Sequence, residues 1–274
     1  MPLVSVLIPT FNRQETIERA VSSVLLQTHQ ELECIVIDDA STDKTLELLA
    51  KFDDPRLKVI SLPENHGVSF TRNKGFSQAK GEAIALLDSD DEWLKDKLER
   101  QLPLLEKYPL VHGEEIWVRK GKRVNQKKVH RKEGGKIFER CLHLCLISPS
   151  ATLMKRELYQ EMNGFREDFP VCEDYELWLR VTHAYEVGFI PEPVIIKYGG
   201  HEDQLSAKYK AMDYWRVKAM DEVSRNHSLS EEELKVLKEV LLKKCEILIL
   251  GYRKHGNIEK IPFIEEVRER HLQG

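Results

Sequence analysis

Residues 83–94 read AIALLDSDDEWL. An apolar run, residues 83–87, passes directly into Asp88, Asp90, Asp91 and Glu92. Carboxylates at such spacing repel one another, so the segment is either a solvated turn or the lip of a site that holds something positive. An EF-hand calcium loop would need glycine at its sixth position, where Trp93 stands. A haloacid-type phosphatase pattern would continue to Thr where Glu92 stands. A site for Mg²⁺ or Mn²⁺ fits better: such ions take hard oxygen ligands, keep waters, and bridge one or two carboxylates to substrate phosphates.

A second acidic pair, Asp38-Asp39, ends the run LECIVID. The elements around both clusters explain why they should meet. Residues 4–9, 32–38, 56–62 and 82–88 read as strands, the first a continuous apolar run suited to burial on both faces. Between them, residues 15–27 carry Ile17, Ala20, Val21, Val24 and Leu25 at helical spacing. Ser41 is placed to cap a helix over 42–52, and residues 66–80 open on Gly67 as a third helix. Alternating strand and helix imply an α/β fold with right-handed crossovers, a mostly parallel sheet and flanking helices. Ligands of such sheets gather outside the carboxyl ends of the strands, which places both acidic clusters on one rim.

Beyond residue 94 the pattern loosens. Residues 95–108 read as a helix, 111–136 as a strand and a Lys-rich loop, and 150–165 as a strand and a helix ended by Gly164. Residues 173–185 read as a helix. Residues 186–198 read as two short strands broken by Pro191 and Pro193. From about 206 the chain reads as helical. Composition fits a soluble globular protein: 41% hydrophobic, 32% charged, net charge −4. That balance argues against nucleic acid as a partner. No stretch approaches the ~20 apolar residues of a membrane span, and five cysteines without a CxxC pair suggest a reducing, cytoplasmic setting.

Four segments, VSVLIPTFNRQETIERAVSSVLLQT, CIVIDDASTDKT, NHGVSFTRNKGFSQAKGEAIALLDSDDEW and CEDYELWLRV, together resemble the inverting glycosyltransferases of family 2, which have the GT-A fold. The resemblance covers roughly residues 3–205. It implies a GT-A domain over 1–205, with a nucleotide-binding half (1–94) and an acceptor half (95–205), and a helical extension over 206–274. It also implies transfer of a sugar from a nucleotide diphosphate, with UDP favoured, to the hydroxyl of a saccharide or lipid-linked saccharide in cell-surface polysaccharide or glycolipid synthesis.

By the same resemblance, Pro9, Thr10 and Phe11 cup the base and ribose. Asp39 accepts from the base N–H, and Asp38 holds its loop. Arg72 faces the diphosphate or braces the acidic rim. Asp88 and Asp90 belong to the donor side, Asp90 near the ribose, while Asp91, with Asp90, holds the divalent metal. Asp174 is the general base that takes the acceptor proton. His201, after Gly199 and Gly200, is placed to swing over the donor and touch metal or phosphate. A nucleotidyltransferase or phosphatase using the same rim, and a silent nucleotide-binding module, are the competing readings. The tail is expected to pack on the catalytic domain; dimerisation is an alternative, and Lys243, Lys244, Arg253 and Lys254 would suit a peripheral membrane contact. The stretch 119–132, RKGKRVNQKKVHRK, reads as a solvated loop near the acceptor opening, suited to an anionic acceptor such as a lipid phosphate.

Overall fold

The computed structural model describes residues 2–200 and 211–273. The first half follows the expected alternation: β1 (Val4–Thr10), α1 (Ile17–Leu25), β2 (Leu32–Asp38), α2 (Thr45–Leu49), β3 (Leu57–Ser61), α3 (Val68–Gln78) and β4 (Ala83–Leu86). β1 pairs in parallel with β2 and β4, and β2 with β3. Every residue of β1 and β4 is buried, as strands covered on both faces should be.

The second half differs from the sequence reading in three places. The helix expected over 95–108 follows the two-residue strand β5 (Glu92–Trp93). It divides into α4 (Lys97–Gln101) and a 3₁₀ turn, Leu102–Glu106, because Pro103 has no N–H to continue the α ladder. The Lys-rich stretch is not a simple loop. β6 (Leu110–Arg119) turns through Lys120 and Gly121 into β7 (Lys122–Val124), forming a hairpin. After α5 (Phe138–His143), β8 (Leu153–Lys155), α6 (Arg156–Glu161) and α7 (Glu173–Ala184) comes one long strand, β9 (Gly188–Gly199), not two short ones. Its two prolines are absorbed by register shifts against β6 around Glu114, the local irregularity by which a ladder tolerates residues without an N–H.

Among the described residues nine strands form one sheet. Its order is β3-β2-β1-β4-β8-β6-β9-β5, with β7 paired to β6 on the edge opposite β9. β8 runs antiparallel to both β4 and β6, whereas β6 and β9 are parallel. The sheet is therefore parallel where the nucleotide-binding half was expected and mixed beyond it.

Ser41 does not cap α2. Its Oγ accepts the Asn12 N–H at 2.8 Å, and Asp43 Oδ1 instead accepts the Thr45 N–H at 2.9 Å.

The C-terminal helices are α8 (Asp213–Asn226), α9 (Glu231–His255) and α10 (Ile261–Gln273). A reciprocal capping box between Ser230 and Glu233 starts α9, and Gly256 in the left-handed region ends it. These helices share one hydrophobic core with the half that carries α7: Val217, Leu237, Leu241 and Cys245 pack in the same cluster as Leu177 and Val181. No helix among the described residues is long and apolar enough to cross a membrane.

Two glycines separate steric necessity from tolerance. A Cβ on Gly81 would stand 2.6 Å from Leu3 O and from Ser5 N, backbone atoms at the entry of β1. Gly81→Ala is expected to cost about 1–3 kcal/mol in urea unfolding. Gly251, inside α9 with nothing within 4 Å of such a Cβ, is expected to gain up to about 1 kcal/mol on change to Ala in the same measurement.

Candidate active site

The loops after β1 and β2 are stitched side by side. Asn12 Oδ1 accepts the Thr42 N–H (2.8 Å), Thr45 Oγ1 accepts the Arg13 N–H (2.7 Å), and Asp43 Oδ2 accepts the Gln14 N–H (3.0 Å). Asp38 secures its own loop through the Ser41 N–H (3.1 Å) and the Ser61 hydroxyl (3.3 Å). Asp39 clamps the start of α3: its two oxygens accept the His66 and Gly67 N–H groups, each at 2.8 Å. Gly67 has φ +89°, a conformation open to glycine at little cost.

Arg72 connects the two halves of the site. Its Nη2 donates to Asp88 Oδ1 and its Nη1 to Glu173 Oε1, both at 2.7 Å, and its guanidinium lies over the Phe165 ring. The side chain is only 3% exposed. Arg72 thus braces Asp88 against Glu173 and also lines the cavity. Burial, and then the neighbouring Asp174 charge, raise the Glu173 pKa against the pull of Arg72.

Asp91 is also buried. Its Oδ2 accepts the Ser150 hydroxyl (2.7 Å) and its Oδ1 the Tyr198 N–H (3.1 Å). Burial raises the pKa of Asp91 well above the ordinary range, with Asp90 and Asp88 adding to the rise and Lys197 opposing it. Burial and the Asp88 charge raise Asp90 likewise, while Arg13 and Lys197 oppose. On the far wall, α7 begins after Cys172, a non-glycine residue at φ +60°. Strain of this kind collects at functional sites. Asp174 Oδ1 accepts the Tyr175 N–H (2.7 Å), and the Cys145 thiol donates to Oδ2 (3.4 Å).

Pro9, Thr10, Phe11, Asp39, Arg72, Asp88, Asp90, Asp91 and Asp174 all line one cavity of about 990 Å³. His201 lies outside the described residues. The structure adds groups that no motif marked. Lys197, half-buried on β9, lines the same cavity and donates to Ser148 Oγ at 2.9 Å. Burial would lower its pKa, but Glu115, Asp91, Asp88 and Asp174 outweigh burial and raise it. Cys145 and Ser150 act by touching the acidic groups; their signal lies in three-dimensional contact, across 29 and 59 residues of chain.

The donor set suits a hard divalent cation. Asp91, buried, and Asp90, half-buried, are neighbouring carboxylates with raised pKa values, a negative site in want of charge, and all their donor atoms are oxygen. Among the described residues no group of three or more His, Cys, Asp or Glu forms a closed metal cage. Such an ion would share its coordination with phosphates and water, as Mg²⁺ and Mn²⁺ do.

Residues 5–162 match the family described as Glycosyl transferase family 2, more than half of the chain. The chain belongs to that family. Among the relatives of this family 2 chain, a Bacillus subtilis glycosyltransferase named for teichuronic acid biosynthesis, TuaG, is 47% identical over 106 residues, 38% of this chain and 42% of that protein. The matched segment thus spans less than half of TuaG. An Escherichia coli protein, UDP-Glc:alpha-D-GlcNAc-diphosphoundecaprenol beta-1,3-glucosyltransferase WfgD, is 33% identical over 202 residues, 69% of this chain and 75% of that one. Among solved structures, Staphylococcus aureus TarS 1–349 in complex with UDP-GlcNAc superposes over 98% of this chain and 92% of its own, with TM-score 0.74 and 20% identity. That likeness is one of fold, and it agrees with the GT-A expectation.

Removing Arg72 as Arg72→Met leaves Asp88 and Glu173 facing each other without a counter-charge. The change is expected to cost about 3–5 kcal/mol, the scale of a broken buried pair, read by chemical unfolding.

Glu115 provides a pH test. Burial would raise its pKa, but Lys132, whose Nζ lies 2.6 Å away, and Lys197 outweigh burial and bring it from 4.5 down to about 2. Because the folded value is the lower one, the stabilisation is complete above about pH 4.5 and is lost as pH falls towards 2. The wild-type advantage over Glu115→Gln, about 3 kcal/mol at pH 7, is expected to shrink through that window in unfolding titrations.

Proposed function

We propose that this chain transfers a sugar, with inversion, from a UDP-sugar to an acceptor hydroxyl in cell-surface polysaccharide or glycolipid synthesis. The observation that carries the reading is the single cavity into which the β1 loop, Asp39, the acidic rim and Asp174 all open. Family membership and the activity for which WfgD is named, transfer from UDP-Glc, support the choice of donor and reaction.

In this reading Pro9, Thr10 and Phe11 enclose the base and ribose, and Asp39 orients the base with lone pairs not taken by His66 and Gly67. Arg72 ties Asp88 and Glu173 together through its two Nη atoms, which holds the rim against the start of α7. Asp91 and Asp90 would hold a divalent cation, which when bound stabilises charge on the departing diphosphate. Tyr198 and Ser150 fix the Asp91 carboxylate. Asp174 takes the proton of the acceptor hydroxyl as that oxygen attacks the anomeric carbon from the face opposite the diphosphate. The Tyr175 N–H and the Cys145 thiol hold it for that work. A second acid on the leaving group is not needed, unlike glycoside hydrolysis.

The test is UDP release from a panel of UDP-sugars with Mn²⁺. Asp174→Asn is expected to lower kcat by about 10²–10⁴-fold, and chelation to abolish a turnover that added Mn²⁺ restores. Asp91→Asn is expected to raise the Mn²⁺ concentration needed. UDP release untouched by all three interventions would refute the reading. Pyrophosphate release from a nucleoside triphosphate and a sugar phosphate would replace it with nucleotidyl transfer.

A further inference from the structure

The β6/β9 pair runs past the cavity. Lys197 and Tyr198 line the cavity, and their partners across the ladder are Trp117 and Val118. One residue on, Arg119 pairs with Gly199 on one side and with Lys122 of β7 on the other. Alternate residues of a strand share a face. Lys197, Trp117, Arg119 and Lys122 therefore lie on one face of the sheet, leading from the cavity wall across about 10 Å, two strand spacings, to β7.

The hairpin that carries this face, with the loop after it, is charged and firmly built. Residues 116–132 contain no Asp or Glu, and seven Lys and Arg side chains between Arg119 and Arg131 are exposed in a chain of net charge −4. None of the seven forms an ion pair with a carboxylate among the described residues; the cations that do pair nearby are Lys132, with Glu115, and Arg140, with Glu133. Within a Debye length of about 8–10 Å such charges repel one another, so the surface favours an anion. Its base is pinned. Glu115 takes Lys132 on Oε1 (2.6 Å) and the Trp117 indole N–H on Oε2 (2.7 Å), and Gln126 Nε2 donates to Glu114 Oε1 (2.9 Å). The indole ring is thereby held against the His130 ring, with the Arg119 guanidinium over it, a fixed aromatic surface beside a cation.

We infer that the β6–β7 hairpin is an anion subsite for the acceptor: it binds the diphosphate that links the acceptor saccharide to its carrier, with the sugar over Trp117 and its hydroxyl end in the cavity. The inference rests on the proposed transferase reading. Guanidinium forks and ammonium groups suit phosphate oxygens. The run of cations is continuous with the wall that carries Lys197, which a ligand reaching into the cavity would use.

The experiment is calorimetric titration of the full chain with α-GlcNAc diphosphate carrying a short, water-soluble alkyl chain. The same sugar as a neutral alkyl glycoside is the comparator, and UDP probes the cavity. The wild type is expected to bind the diphosphate probe at least tenfold more tightly than the neutral one, and to lose most of that preference on raising NaCl from 50 to 300 mM. The variant Lys122→Glu/Arg123→Glu/Lys127→Glu/Lys128→Glu is expected to lose the preference while keeping wild-type affinity for UDP. Equal affinity of the wild type for both probes overturns the inference, and this holds even if the variant does not fold. A preference that survives in the variant overturns it too. So does capture by phosphatidylglycerol vesicles that the variant loses while its diphosphate binding is intact, which would make the hairpin a membrane contact. A diphosphate preference without UDP binding sustains the subsite and sinks the donor reading instead.

Discussion

The site depends on one guanidinium. Asp88 at the end of β4 and Glu173 at the start of α7 come from opposite halves of the molecule, and each ends on Arg72 at 2.7 Å. Without a shared cation, two carboxylates at this depth would separate or take up protons. With it, a rim from the parallel half and a helix start from the mixed half face each other across a fixed distance. Arg72 suits the task better than lysine would, because its fork reaches two acceptors at once. The remaining charge is not neutralised: Asp90 and Asp91 stay crowded and desolvated, and Lys197 opposes their raised pKa values without cancelling them.

Around that bridge the supports are arranged in pairs. Ser150 and Tyr198 orient Asp91, Tyr175 and Cys145 orient Asp174, and His66 and Gly67 orient Asp39. Each acidic group thus has both oxygens engaged. Two of the three supporting sets come from the half in which the sheet turns antiparallel. The expected parallel half alone would supply the rim, Arg72 and the support of Asp39, but not the groups that hold Asp91 and Asp174.

The parallel half was legible because period and composition agreed there. Apolar runs buried on both faces alternate with helical stripes, and the acidic clusters fall at strand ends, where the topology rule places ligands. Where the reading failed, local chemistry had more than one solution. Pro191 and Pro193 break a ladder or bend it, and only pairing with β6 decides that β9 continues. Ser41 can cap a helix or bind a neighbouring loop, and Asn12, 29 residues away, decides the latter. Lys197, Cys145 and Ser150 lie in segments without a motif, and their significance appears only when distant strands bring them to the carboxylates. The Lys-rich stretch was recognised by its charge, but its hairpin form depends on pairing across Lys120 and Gly121.

The tail has a further bearing on how such a chain can diversify. Trp215 and Lys218 of α8 pack against Phe169, which lines the cavity together with Met212, just before α8, while Lys218 also pairs with Asp168 and Glu222 with Arg166. The family match ends at residue 162, so this buttress lies wholly outside the matched segment. Change in the carboxy-terminal helices would therefore reshape one bank of the cleft while leaving the bank built on the β1 and β2 loops and α3 untouched.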